Sequence, residues 1–167
     1  SAVPAPYLIV LGIAQDGGAP QAGYPAEPGW HDPAKRRLAT SLAVVDAASG
    51  GRWLFDATPD FPEQLQRLDE IAPHTGSRPG LSGIFLTHAH IGHYAGLAVL
   101  GNEGMGMQQT PVFCTEAMAA FLAGNYPWRF LVEQGRLALR PLALDRWHRI
   151  DSQLEVQLWK VPHRDEL

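Results

Sequence analysis

Hydrophobic residues in this chain cluster in short runs separated by polar, turn-rich segments. Tyr7 to Gly12, YLIVLG, is a continuous apolar run and predicts a buried strand. SLAVVDA and RWLFDA flank Ala48-Ser49-Gly50-Gly51, the pattern of a hairpin. Thr58-Pro59-Asp60 then opens a helix. Phe61, Leu65, Leu68 and Ile71 recur at helical spacing, with Glu63, Gln64 and Gln66 assigned to other faces. GIFLT, Gly83 to Thr87, predicts another buried strand, and HYAGLAVLG a helix ending at Gly101. PVFC is a strand. The helix TEAMAAFLAG follows, capped by Thr115 and stopped by Gly124. LALRPLAL and LEVQLWKV are two more strand-like runs, and the second leads into Pro162-His163.

The intervening segments are loops. Ala14 to Pro33 is dense in Gly, Pro and Asp, and loops of such length often carry function. Pro73 to Gly80 is a shorter polar loop, and Gly104 to Met107 an ordinary one with apolar methionines. The order of elements predicts a mixed α/β (α+β) chain with helices on outer faces, and both neighbouring antiparallel and non-neighbouring strand pairings. No linker, repeat or low-complexity tract divides residues 1–167, so a single domain is expected. Trp128, Trp147 and Trp159 read as core residues.

Composition narrows the partners. The chain is 46% hydrophobic and 18% charged, ordinary for a globular protein. A net charge of −4 gives no basic field for nucleic acid. The single cysteine, Cys114, excludes an internal disulfide framework and a cysteine zinc cluster, and its apolar context predicts an inert buried thiol. No apolar run approaches the roughly 18–20 residues of a membrane span. The chain opens on Ser1, so the compartment stays open between cytoplasm and periplasm after removal of an export signal. The closing RDEL resembles a retention address, but a four-residue match without a signal peptide weighs little against a plain chain end.

The chemistry concentrates in THAHIGHYAGL, Thr87 to Leu97. His88 and His90 are two residues apart, which on a strand puts both side chains on one face. His93 follows at a turn or first helical turn. Imidazoles suit zinc and iron, and two on one face need a third ligand from elsewhere. His163 is the strongest candidate, since it too follows a strand. His31, His74 and His148 sit in loop or polar contexts and read as ordinary histidines. Asp16-Gly17-Gly18 is a tight turn whose glycines let backbone approach a ligand, although a plain turn explains it at least as well.

These residues carry a resemblance. THAHIGHYAGL resembles the HxHxDH signature of the metallo-β-lactamase fold hydrolases. LFDATPD, Leu54 to Asp60, is similar to that family's earlier Asp motif, and VPHRDE to its downstream metal-binding histidine. LGIAQDGGAPQAG is similar to the N-terminus of the branch related to pyrroloquinoline quinone biosynthesis protein B. The resemblance implies an αββα sandwich with His88, His90 and His163 on a first metal and His93 facing a second. It implies that Asp56 orients the histidine loop without binding metal; a strand-end cap is the equal alternative. The sequence departs from the family pattern at Gly92, where the usual Asp is missing, so one well-held ion is expected. It departs again after His163, where the bridging Asp and a further His of the family would lie. The chain is therefore expected to be the N-terminal half of the sandwich, the remainder lying in a missing segment or another chain.

The expected function is a metal-dependent hydrolase acting on a small molecule. Zinc held by three histidines lowers the pKa of its water toward about 7, and the hydroxide attacks an ester, amide, lactone or phosphoester. One alternative is an iron-dependent oxidative enzyme related to quinone-cofactor biosynthesis. Another is a non-catalytic binding module, which the loss of a carboxylate at Gly92 favours.

Overall fold

Six strands form one sheet in chain order: β1 (Tyr7–Gly12), β2 (Ser41–Asp46), β3 (Gly51–Phe55), β4 (Gly83–Phe85), β5 (Thr110–Cys114) and β6 (Leu137–Pro141). The structure, a computed structural model, describes residues 2–76 and 80–163. The RDEL tail, the end of VPHRDE and part of the Pro73 to Gly80 loop lie outside the described residues. β2 runs antiparallel to both β1 and β3, and β3 through β6 are mutually parallel. Every strand but β2 therefore runs the same way, and the C-terminal ends of β1, β3 and β4 open at one edge. In sheets of this kind ligands bind beyond the C-terminal strand ends.

One face of the sheet is packed by α1 (Phe61–Ile71), α2 (Glu116–Gly124), α3 (Trp128–Glu133) and the 3-10 segment Ala95–Leu100. Leu54, Ile84 and Val112 from the strands meet Phe61, Leu68 and Leu122 from the helices, all almost completely buried. Each such side chain contributes about 1.5–3 kcal/mol through burial. Thr115 caps α2 by accepting a hydrogen bond from the Met118 N–H at 3.2 Å. On the other face, Phe55, Phe85 and Phe113 stack across β3, β4 and β5 with ring centroids 4.9 and 4.6 Å apart. The hairpin β7 (Trp147–Arg149) and β8 (Glu155–Gln157) leans on this aromatic ladder through Ile150, Leu154 and Val156.

Several sequence expectations change. Pairing follows chain order throughout the six-stranded sheet, so the non-neighbouring pairings expected there are replaced by parallel neighbours joined through helical crossovers. β1 is buried on one face only: Ile9 and Leu11 face the core while Leu8 and Val10 are 65% and 63% exposed. It is an edge strand, and the helices cover just one side of it. The helix expected from His93 to Gly101 is instead two 3-10 segments, Ile91–His93 and Ala95–Leu100. Gln64 is buried rather than outward: its amide donates to the Ala39 carbonyl at 2.7 Å and its oxygen accepts from the Thr58 hydroxyl. Trp128 is buried as expected, but Trp147 and Trp159 are exposed. α3 and β7 had no counterpart in the sequence reading. The LALRPLAL and LEVQLWKV runs shorten to β6 and β8, because their later residues find no neighbouring strand of length. Cys114 is fully buried, and burial pushes its thiol up to about 11. Among the described residues, no helix is long and apolar enough to cross a membrane.

Candidate metal centre

Three loops that are distant in sequence meet at the shared strand edge. Asp56 follows β3 directly and adopts a left-handed backbone, φ 68°. Few residues tolerate that region, and Asp is among those that do. Its N–H donates to the Phe85 carbonyl at 2.7 Å, which pins the turn to the end of β4. The buried carboxylate then accepts from both Thr87 donors: the N–H at 2.8 Å, and the hydroxyl, which lies 3.0 and 2.8 Å from the two oxygens and is shared between them.

His93 comes from the 3-10 turn Ile91–His93, which is tied back when its carbonyl accepts from the Ala57 N–H. Its Nδ1 lies 2.7 Å from Asp56 Oδ2 and its Nε2 lies 3.1 Å from Asp16 Oδ1. A carboxylate can only accept, so Nδ1 carries a proton toward Asp56. The hydrogen bond to Asp56 raises the His93 pKa above its ordinary value, against the opposing effect of burial, and the Asp16 charge adds to the rise. Asp16 reaches the site from the turn Gln15–Gly18, closed by the Gly18 N–H donating to the Gln15 carbonyl at 2.8 Å. Gly18 sits at φ +71°, so it serves the turn.

His88, His90 and His163 converge beside this pair. One nitrogen from each lies within 4.8 Å of the others. His163 Nε2 is 3.4 Å from His90 Nδ1, close to the roughly 3.4 Å that separates two nitrogens on one tetrahedral zinc. His88 Nδ1 lies 3.0 Å from the Thr87 hydroxyl. With that hydroxyl donating to Asp56, Nδ1–H of His88 donates to Thr87 Oγ1 and its Nε2 is left with a free lone pair. Burial, and then the neighbouring His93, lower the His88 pKa. A neutral, oriented imidazole is the form that binds a metal ion. The donor set thus fits a zinc-type cation.

The sequence reading named His88, His90, His93, His163 and Asp56, and the structure brings all five to one edge. Of the Asp16-Gly17-Gly18 turn it brings Asp16, whose half-exposed side chain reaches His93 with one carboxylate oxygen. Thr87 was not singled out, though its place between an apolar strand and His88 was the available signal. His148 lies elsewhere, its Nε2 2.8 Å from the Ala143 carbonyl.

Residues 51–167 match the Beta-lactamase superfamily domain. The chain belongs to the beta-lactamase superfamily. Within that superfamily it is similar to coenzyme PQQ synthesis protein B of Ruegeria pomeroyi, at 31% identity over 93% of the chain and 52% of the relative. It is likewise 32% identical to the Xanthomonas euvesicatoria protein of that name, over 83% of the chain and 46% of the relative. The chain thus spans about half the length of the curated relatives it matches. Its fold is shared by the Zn2+-bound PqqB of Methylobacterium extorquens, with a TM-score of 0.77 at 24% identity, covering 93% of this chain and 56% of that one. A diphosphatase from the PhnP family superposes with a TM-score of 0.59, also at 24% identity, over 86% and 52% of the two chains.

Proposed function

We propose that this protein is a metal-dependent hydrolase whose ion is held by His88, His90 and His163. The observation that carries the reading is the convergence of three imidazole nitrogens at a strand edge, with His88 Nδ1 engaged 3.0 Å from the Thr87 hydroxyl. Zinc is the first candidate ion and iron the second, since imidazole suits both. When bound, such an ion acidifies a water molecule and polarises the bond to be cleaved, in an ester, amide, lactone or phosphoester of small size. Asp56 acts by positioning: it fixes His93 directly and His88 through the Thr87 hydroxyl. The exposed apolar positions Leu8, Val10 and Leu42 are where a further layer of the αββα sandwich packs, from a further segment or another chain. The test is turnover of a panel of esters, lactones and phosphodiesters by the zinc-loaded full-length protein. Activity lost in His88→Ala and His90→Ala is expected; activity surviving both contradicts the reading.

A second reading is favoured by the similarity to coenzyme PQQ synthesis protein B over most of the chain. On it the site holds iron and performs an oxidation. Turnover that requires iron(II) and oxygen, and that zinc does not support, selects it over hydrolysis. Metal bound tightly with no turnover in either assay selects a binding module.

A further inference from the structure

Gly92 is buried, and its φ lies outside the left-handed region, so backbone conformation does not demand a glycine there. Space does. A Cβ built on Gly92 would lie 2.4 Å from Cβ, Cγ and Oδ2 of Asp16. The Asp16 side chain therefore fills the volume into which an aspartate at position 92 would project. The same carboxylate lies 3.1 Å from His93 Nε2, on the side of the ring not engaged by Asp56.

We infer that Asp16, carried on the loop after β1, supplies the metal-binding carboxylate that position 92 does not, forming with His93 a second cation position. This rests on the reading of His88, His90 and His163 as the first. The two positions adjoin, because the His88 and His93 rings have centroids 3.9 Å apart. In the metal-free protein Asp16 Oδ1 and His93 Nε2 lie at hydrogen-bond distance, 3.1 Å, so a cation entering between them displaces the Nε2 proton to solvent and needs the pair to open only slightly, toward the roughly 3.4 Å between two donors on one zinc. The Asp16 side chain is 49% exposed, so it can adjust and water can complete the coordination. One imidazole and one carboxylate suit zinc, manganese or iron(II). On this inference the single ion expected from Gly92 becomes two: the carboxylate comes from another loop, and the glycine makes room for it.

The test is a zinc titration of the metal-free full-length protein against a competing chromophoric chelator, with elemental analysis. Two equivalents are expected. Asp16→Asn keeps the shape and a hydrogen-bond acceptor but is a poor ligand. It is expected to weaken the second equivalent at least about 10- to 100-fold and leave the first unchanged. The double variant Asp16→Ala/Gly92→Asp, in which the new carboxylate has room, is expected to recover the second equivalent. A wild type that holds only one equivalent, or Asp16→Asn with both affinities unchanged, would overturn the inference. His88→Ala separates the two readings. Loss of the tight equivalent alone supports the three-histidine site; no effect sinks that site while the Asp16 result is still read on its own.

Discussion

The histidine cluster has two halves that are held in different ways. His93 is fixed from both sides by the chain's own carboxylates, Asp56 on Nδ1 and Asp16 on Nε2, and its side chain is only 14% exposed. His88, His90 and His163 instead face one another. Their ring centroids lie 4.7 to 4.8 Å apart, and His163 is exposed and 73 residues from His90. The first half is organised by charge pairs that exist without any ligand. The second gathers three imidazoles whose mutual approach is favourable chiefly when a cation lies between them. Folding therefore sets the His93 half in place before any cation arrives, including the Asp16–His93 position proposed above, whereas the three-histidine half gains its cohesion from the ion itself.

That contrast can be broken at its strongest point first. His88→Ala and His90→Ala are expected to weaken zinc binding by more than the about 100-fold typical of losing an outer hydrogen-bond partner. The melting temperature of the metal-free protein should change little, since both side chains are only partly buried. Chelator competition beside thermal melts checks this, and a large loss of metal-free stability would place these histidines with the prebuilt half. Asp56→Ala should do the reverse. It leaves Thr87 and His93 without their acceptor and puts Ala in a left-handed backbone, costing about 2–4 kcal/mol in urea unfolding without metal. Asp56→Asn, which tolerates that backbone, should cost about half as much.

A smaller effect follows from pH. The folded-state pKa of His93 is raised above its ordinary 6.5. Its contribution to metal-free stability is thus fully present below pH 6.5 and is lost as pH rises through the folded pKa. His88, with its pKa lowered, works in the opposite sense by opposing folding as pH falls through 6.5. Denaturation of wild type and His93→Gln across this range isolates the first effect, and identical pH profiles would contradict it. Least of all should Cys114 respond: with its thiol pushed up to about 11 inside the core, it should resist maleimide at pH 8 until the protein unfolds.

How far the sequence reached follows the same division. Cys114 was legible because an apolar run declares its own burial, and His88 and His90 because three histidines in six residues stand out locally; but β4 ends at Phe85, so both lie in the loop beyond it and converge through the loop's path, not through the strand alternation expected of them. His163 was reached through its place after a strand and through resemblance. Asp16 opposite Gly92 was not legible, since the exchange joins residues that only the common direction of β1, β3 and β4 brings to one edge. Trp147 and Trp159 were misjudged for a related reason: hydropathy records that a residue is apolar, not whether anything packs on it.

The most direct measurement is X-ray absorption at the zinc edge of full-length protein loaded with one equivalent. About three imidazole nitrogens at roughly 2.0–2.1 Å are expected, falling to two in His163→Ala. A spectrum dominated by oxygen ligands, or one unchanged by removing His163, would contradict the three-histidine site.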